Sequence, residues 1–551
     1  MLRCGQIDQG SAFGDTNGAQ RQTALKRTMV HGAYGEPMNE ELARKLWQVL
    51  SMLRGVGEPG WQIEQAACLL YLKLLGEEDA AHEAAAVVSS EQAVVSVLFR
   101  GQARRYRWSE WSVLEPTTLR DFVLGEVLPY MASVEREDPA TAYFFRDLDV
   151  DGTLNIKNPQ LLADVVREID SIELLGLDPA TRGDLLEGLL DRFSTNTREG
   201  SMRTPPQLRN FLVQLVDPRV EDTVYDPFCG TGGFLVGALR HVAHRPGIGD
   251  ALVLPPAQLG DRIIGCDINR RMVRIATLNL MLNGVRHPRI VRTNSFLGPI
   301  HPAEEQGALR YSAILSSPPM GIRLGEEAAG LKTGTSDGDL AVLRLLMDSL
   351  APGGRCAVVV PYGVLRRSSR DYREARRRLC EVYNLHAVVA LPGEVWAPGA
   401  SISTAALVFS RPQDPDRSDR ARFPTWFVDM TPPAWEQQRP VHGDSTSTVA
   451  AAAFPEVLRE WYAFEATGFT RAPGYEAGSA LPAEVAEPLT WWAAWATLKD
   501  NEWSLDPSLY RPRRVPSHVV LDPADLVREI LATEREIHNE LEVLLRDLEA
   551  S

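Results

Sequence analysis

An aspartate that closes an apolar strand and is followed at once by closely spaced glycines gives this chain its first chemical handle. Val224-Tyr225-Asp226 runs into Pro227-Phe228-Cys229-Gly230-Thr231-Gly232-Gly233 and then into the helical pattern Phe234-Leu235-Val236-Gly237-Ala238-Leu239. Glycines let the backbone approach a ligand that side chains would exclude. Unpaired N–H groups at the start of the following helix can receive a carboxylate, while Asp226 can hold a cationic amine. An amino-acid moiety carries both charges. The expected cradle is therefore Asp226, Phe228, Gly230, Thr231, Gly232 and Gly233, and S-adenosylmethionine is a ligand with such an end. A second acidic strand end, Ile263-Ile264-Gly265-Cys266-Asp267, supplies a carboxylate suited to ribose hydroxyls. A dinucleotide site is the rival, but neither G-x-G-x-x-G nor a Gly-Lys-Ser/Thr phosphate loop is present, and Asp267 lies beyond the roughly 20-residue spacing of the dinucleotide fingerprint.

These residues need strands that end together. Apolar strand candidates recur at Val224–Asp226, Ile263–Asp267, 289–291, 313–315, 355–360 and 387–391, with helical stretches between them. That alternation predicts a parallel sheet covered by helices. Ser403-Thr404-Ala405-Ala406-Leu407-Val408-Phe409-Ser410 fits a late antiparallel strand. Ahead of the sheet the spacing is helical: Leu42, Leu46, Val49, Leu50 and Leu53, then 66–75, 119–130 and 159–169. The expected organisation is a disordered leader over 1–36, a helical N-terminal domain over 37–195, the sheet-bearing core over 196–415, a mixed extension of unassigned fold over 416–500 and a helical tail over 501–551. In that tail Val527, Ile530, Ile537, Leu541, Leu544 and Leu548 mark a heptad seam that suits a partner helix or the chain's own domain.

Asp226-Pro227-Phe228-Cys229-Gly230-Thr231-Gly232-Gly233-Phe234 resembles the cofactor loop of amino-directed DNA methyltransferases, specifically the modification subunits of type I restriction-modification systems. The likeness continues through 265–279, 379–410, 46–55 and 501–510, so it covers most of the chain. It implies an α/β fold: a Rossmann-like class I S-adenosylmethionine-dependent methyltransferase core with a helical N-terminal domain and a C-terminal helical tail. It implies transfer of a methyl group to a base amine, adenine N6 favoured over cytosine N4. Double-stranded DNA is the expected substrate, with a separate specificity subunit and a second modification subunit as partners. The family's Asn-Pro-Pro-Phe/Tyr motif falls on Ser317-Pro318-Pro319-Met320, the expected catalytic segment. Ser317 keeps one hydroxyl acceptor, and Ser also occurs here in related cytosine-N4 enzymes. Met320 can cover a base but cannot stack as a plane, and such stacking is worth about 1–3 kcal/mol per base. Two further positions depart from the family. Met202-Arg203-Thr204-Pro205 stands where Phe-Tyr-Thr-Pro is usual, leaving Thr204 as the cofactor contact, and Asn294, followed by Ser295, stands where Asp is common. These changes support a second reading: a subunit of a defence complex that binds cofactor and DNA without methylating.

Composition narrows the rest. Of 551 residues, 44% are hydrophobic and 24% charged, ordinary for a globular chain. No apolar run reaches the roughly 18 residues of a membrane span. The six cysteines form no C-x-x-C pair, so buried reduced thiols in a cytoplasmic protein and no metal are expected. The net charge of −15 disfavours a nucleic-acid coat, although Arg366, Arg370, Arg373 and Arg377 would form one basic stripe on a helix, for DNA contact or as a solvated face. Asp147-Leu148-Asp149-Val150-Asp151-Gly152 copies half of a calcium loop. Its twelfth position is Asn158 rather than Glu, so an acidic turn is expected instead.

Overall fold

The computed structural model describes residues 40–56, 59–88, 98–136, 138–145, 154, 156–194, 203–243, 259–285, 287–297, 310–325, 335–396, 402–414, 423–430, 446–482 and 488–514, and at the carboxyl end 527, 528, 530–535, 537–539, 541 and 546. The leader expected over 1–36 and the Asp147–Gly152 turn lie outside them.

A ten-stranded sheet organises the chain in the order β3-β2-β1-β4-β5-β7-β6-β8-β11-β9. Its strands are β1 (Val224–Asp226), β2 (Ile263–Asp267), β3 (Arg289–Arg292), β4 (Tyr311–Ser316), β5 (Leu350–Pro361), β6 (Asn384–Leu391), β7 (Thr404–Ser410), β8 (Thr425–Asp429), β9 (Tyr475–Glu476) and β11 (Thr490–Ala493); β10 (Ala480–Leu481) and β12 (Arg513–Arg514) form a separate pair. All six early strand candidates form, and β7 runs antiparallel to both β5 and β6, as its sequence position suggested. The central strands are apolar on both sides because both sides are covered. In β5, Ala357 and Val359 enter one core while Cys356, Val358 and Val360 enter the other. Helices α5 (Pro206–Val216), α6 (Gly233–Ala243) and α10 (Thr446–Ala466) cover the first face, and α8 (Gly338–Ser349) and α9 (Arg370–Glu381) the second.

The helical region includes α1 (Glu40–Met52), α2 (Pro59–Val88), α3 (Pro159–Asp170) and α4 (Pro179–Ser194). Its core continues into Ile275, Leu278, Met281 and Leu282 of α7 (Arg270–Leu282), the helix that follows β2. Helices therefore bury their apolar stripe against the edge of the sheet-bearing layer. Asn158 is the N-cap of α3, accepting from the backbone N–H groups of Gln160 and Leu161; a capping side chain has no lone pair to spare for a distant ion.

Two further segments contribute to the sheet and its cores. Within 416–500, β8 pairs in parallel with β6, β11 pairs antiparallel with β8, and Trp426 and Trp491 are fully buried. Short strands broken by prolines hide this pairing from periodicity. Within 501–551, Trp503, Leu505 and Tyr510 belong to the second core, so the early part of the tail is core structure. Farther on, Val527, Ile530, Ile537 and Leu541 are helical and exposed; Leu544 and Leu548 lie outside the described residues. Among those residues no helix is long and apolar enough to cross a membrane.

Gly265 in β2 sits where a side chain has no room. A Cβ there would lie 2.6 Å from Leu235 Cδ1 and 2.8 Å from Ile290 Cδ1. Gly265→Ala should destabilise the protein by about 1–3 kcal/mol, read as a lower denaturant midpoint with unchanged slope.

Candidate active site

The sheet order reverses between β1 and β4, and in open α/β sheets ligands bind outside the carboxyl ends at that point. β1 pairs with β4 through Val224↔Ala313 and Tyr225↔Ile314. The glycine turn after β1 and the double-proline corner after β4 consequently emerge side by side.

The turn is built by backbone hydrogen bonds. Phe228 N–H donates to Asp226 Oδ1 (3.0 Å), Cys229 N–H to the Cys266 carbonyl (2.8 Å), Gly230 N–H to Asp267 Oδ2 (3.0 Å) and Gly232 N–H to the Cys229 carbonyl (2.8 Å). Gly230 and Gly232 have φ of +52° and +81°, the region that other residues rarely occupy. Their surroundings differ. A Cβ on Gly230 would meet nothing within 4 Å, whereas on Gly232 it would press on Ala276 of α7 at 3.2 Å. Gly232 thus permits close helix packing, while Gly230 leaves open space on the ligand side. Gly233 begins α6.

Two acids face this turn. Asp226 is 1% exposed, accepts from Ser316 Oγ at 2.7 Å, and makes no ion pair among the described residues. Burial pushes its carboxyl up to about 7, against the pull of the Ser316 and Phe228 hydrogen bonds. Asp267 is also raised by burial, opposed by the N–H groups of Asn269 and Gly230. A buried carboxylate without a cation is costly, so the site is electrostatically prepared for a positive group.

The corner is fastened from one side only. Gly321 N–H donates to Asp339 Oδ1 (2.9 Å), and Gly338 N–H, at the start of α8, donates to the Ile322 carbonyl (3.0 Å). Pro318 is buried and Pro319 exposed, while Ser317 is half-buried with no hydrogen-bond partner among the described residues. Met320 lies half-buried against the first core. The serine hydroxyl is thus available at the end of a rigid strand, beside Asp226.

The other expected contacts divide. Thr204 is half-buried just before α5. Phe228 tilts against Phe296, with centroids 5.5 Å apart. Asn294 Oδ1 accepts from Phe296 N–H (3.1 Å), which occupies one lone pair of that oxygen and leaves the other. Ser295 is buried and donates to the Pro227 carbonyl (2.6 Å), so its hydroxyl braces the turn from behind. Sequence reasoning missed Ile268 and Leu297. They are 66% and 65% exposed, and they follow the carboxyl ends of the paired strands β2 and β3. For Ile268 the available signal was an apolar residue directly after the acidic strand end Asp267; Leu297, five residues past the end of β3, carried none.

The expected basic stripe does not form. A short helix ends at Arg366, and α9 begins at Arg370. Arg373 pairs with Glu502, Arg377 with Glu374 and Glu381, and Arg378 with Asp348. Buried Arg376 donates to the carbonyls of Trp503, Val364 and Arg367. Part of this charge is paired within the molecule, and Arg373 and Arg376 fasten the 501–510 segment. Among the described residues no cluster of His, Cys, Asp or Glu could hold a metal.

Comparison with known proteins adds a family. Residues 178–459 match the family model described as N-6 DNA Methylase. The type I restriction enzyme EcoEI methylase subunit of Escherichia coli is 27% identical over 327 residues, covering 56% of this chain and 64% of that one. The chain thus spans just under two thirds of that relative. The EcoKI methylase subunit of Escherichia coli K12 is 25% identical, covering 71% and 72%. A chain solved for the assembly and conformational transition of the type I R-M system superposes with a TM-score of 0.65 at 25% identity, covering 94% of this chain and 100% of that one. For the type I restriction-modification methyltransferase subunit from Streptococcus thermophilus the TM-score is 0.61 at 17% identity, covering 86% and 100%, a likeness of fold alone.

Because the native Asp226 carboxyl is raised above its ordinary 3.8, the folded state holds the extra proton between about pH 4 and pH 7. Its contribution to stability is complete below that window and is lost as pH rises through 7. The stability of Asp226→Asn relative to the unliganded parent should therefore rise between pH 5 and pH 8, by about 2–3 kcal/mol at 1.36 kcal/mol per pKa unit. Chemical denaturation at the two pH values measures it; a gap that does not widen with pH contradicts the assignment.

Proposed function

The chain belongs to the N-6 DNA methylase family, and from that premise we propose that it transfers a methyl group from S-adenosylmethionine to an amino group of a DNA base, adenine N6 in preference to cytosine N4. The observation that carries this reading is the adjacency of two unlike strand ends: a glycine turn backed by buried Asp226, and a double-proline corner bearing Ser317, whose hydroxyl has no partner among the described residues.

The residues fit the donor. Open space above Gly230 admits a ligand to the backbone. Asp226 has no cation among the described residues and would receive the amine of the amino-acid end, with the α6 amino terminus near its carboxylate. Asp267 would accept from ribose hydroxyls, and exposed Ile268 and Leu297 would cover an adenine ring. When bound, this group supplies an electrophilic methyl on a sulfonium sulfur, whose C–S bond breaks as the N–C bond forms. The chain's own task is to orient the attacking nitrogen. A base must leave its stack to reach such a site. Ser317 Oγ and the Pro318 carbonyl would accept from the two N–H bonds, favouring a pyramidal nitrogen whose lone pair can attack. Met320 would lie against the base without the face-to-face stacking of an aromatic ring.

The domain limits set out from the sequence remain part of the proposal. So do the partners: double-stranded DNA, a specificity subunit and a second modification subunit. The relatives' names support this, since they are subunits of type I restriction enzymes.

Incubating the protein, with a specificity partner supplied, with labelled donor and bacterial DNA tests the reading directly. Label should enter DNA as methylated adenine. Binding of donor without transfer would leave only the non-methylating subunit. Asp226→Ala should weaken donor binding about 10–100-fold, the loss expected for a charge-assisted hydrogen bond. Because a nearby cation favours the carboxylate, donor binding should release protons near pH 7, seen by calorimetry in buffers of different ionisation enthalpy. Met320→Phe should raise turnover if stacking limits base capture.

A further inference from the structure

A buried relay grips the glycine turn from behind, and methyl transfer as described makes no use of it. Glu187, on α4 in the helical region, is 6% exposed. Its Oε2 accepts from Arg203 (2.5 Å) and Arg209 (2.6 Å), and its Oε1 accepts from Asn279 Nδ2 (2.6 Å). Burial pushes the Glu187 carboxyl up, but the charges of Arg209 and Arg203 outweigh it and hold the group well below the usual carboxylate range. Asn279, on α7, is 0% exposed and also donates to the Thr231 carbonyl at 3.0 Å. One side-chain amide therefore joins the helical region to the middle of the turn. Arg209 completes the brace: a Cβ on Gly233 would lie 2.8 Å from its Nη1.

The turn needs an external hold. Gly230 and Gly232 give its backbone wide freedom, and nothing packs where a Gly230 side chain would be. Fixing the Thr231 carbonyl fixes the peptide plane between Thr231 and Gly232, whose N–H closes the turn on the Cys229 carbonyl, and with it the path of the backbone on either side. Arg203 gives the relay a special character in this chain. It occupies the place of an aromatic residue in the resembling family and takes part as a second cation on Glu187.

We propose that Glu187 is a positioning residue for the methyl-donor site, acting through Asn279 on the Thr231 carbonyl, so that the helical region sets the affinity of the glycine turn. This rests on the reading of that turn as the donor site. Coupling of this kind is reciprocal: donor binding stiffens the attachment of α4 as much as α4 stiffens the turn.

The test compares the full-length protein with Glu187→Gln and Asn279→Leu. Asn279→Leu keeps both ion pairs of Glu187 and removes the amide that joins its Oε1 to the Thr231 carbonyl, together with a contact to Asn283. Hydrogen exchange at the amides of Gly230–Phe234, measured without ligand, should speed up at least tenfold in each variant. Donor Kd by calorimetry should rise about tenfold, with kcat at saturating donor within threefold of the parent because Ser317 is untouched. The double variant should be no weaker than Asn279→Leu alone. Unchanged exchange and Kd in a folded Asn279→Leu protein overturn the proposal, whether or not Glu187→Gln folds, and so does an additive double variant. Failure of the donor reading shows elsewhere: the unmodified protein then binds no donor at all, and the proposal falls with it.

Discussion

A carboxylate buried at the end of a central strand governs this molecule. Asp226 is almost completely enclosed and, among the described residues, has two neutral donors but no cation. Hydrogen bonds recover part of the desolvation cost, and the remainder keeps the acid poised near neutrality. That is a poor arrangement for stability alone, since an apolar residue would fit a buried strand end better. It makes sense where a cationic ligand completes the charge balance. The surrounding structure serves this point: β2 brings Asp267 to cap Gly230, β4 brings Ser316 to Asp226, and the reversal of strand order leaves a crevice above them.

The two loops beside that acid are held in different ways. The glycine turn is secured by its own backbone, by Ser295 through the Pro227 carbonyl and by Asn279 through the Thr231 carbonyl. The double-proline corner relies on prolines for stiffness and on the start of α8, where Gly338 approaches Ile322 so closely that a Cβ would lie 2.5 Å from its carbonyl oxygen. One side of the site is therefore tied to the helical region and the other to a helix on the second face of the sheet. Changes in either layer reach a different half of the chemistry.

Charge is distributed by the same logic. The arginines around α9 answer carboxylates on neighbouring segments, and Arg376 gathers three carbonyls in the interior. Exposed pairs of this kind contribute little to stability, but they register the 501–510 segment against the sheet. An acidic chain that pairs part of its basic residues with its own carboxylates has less charge free to hold nucleic acid.

The sequence by itself determined the strand ends, the glycine turn, the acids at its lip and the replacement of Asn and an aromatic by Ser317 and Met320. Each is a local matter: alternation of apolar runs, glycine where φ is positive, and chemistry carried on one short segment. It could not determine which strands are neighbours, because pairing depends on loop closure across the chain. Only the tertiary structure brought Ser316 to Asp226 across 90 positions, drew β8 and β11 into the sheet, and paired part of an apparent basic stripe with nearby carboxylates. It also turned Ser295 to the back of the turn and exposed Ile268 and Leu297 at its rim. Burial decided the rest, since an aspartate's charge state and an arginine's partner depend on what packs around them.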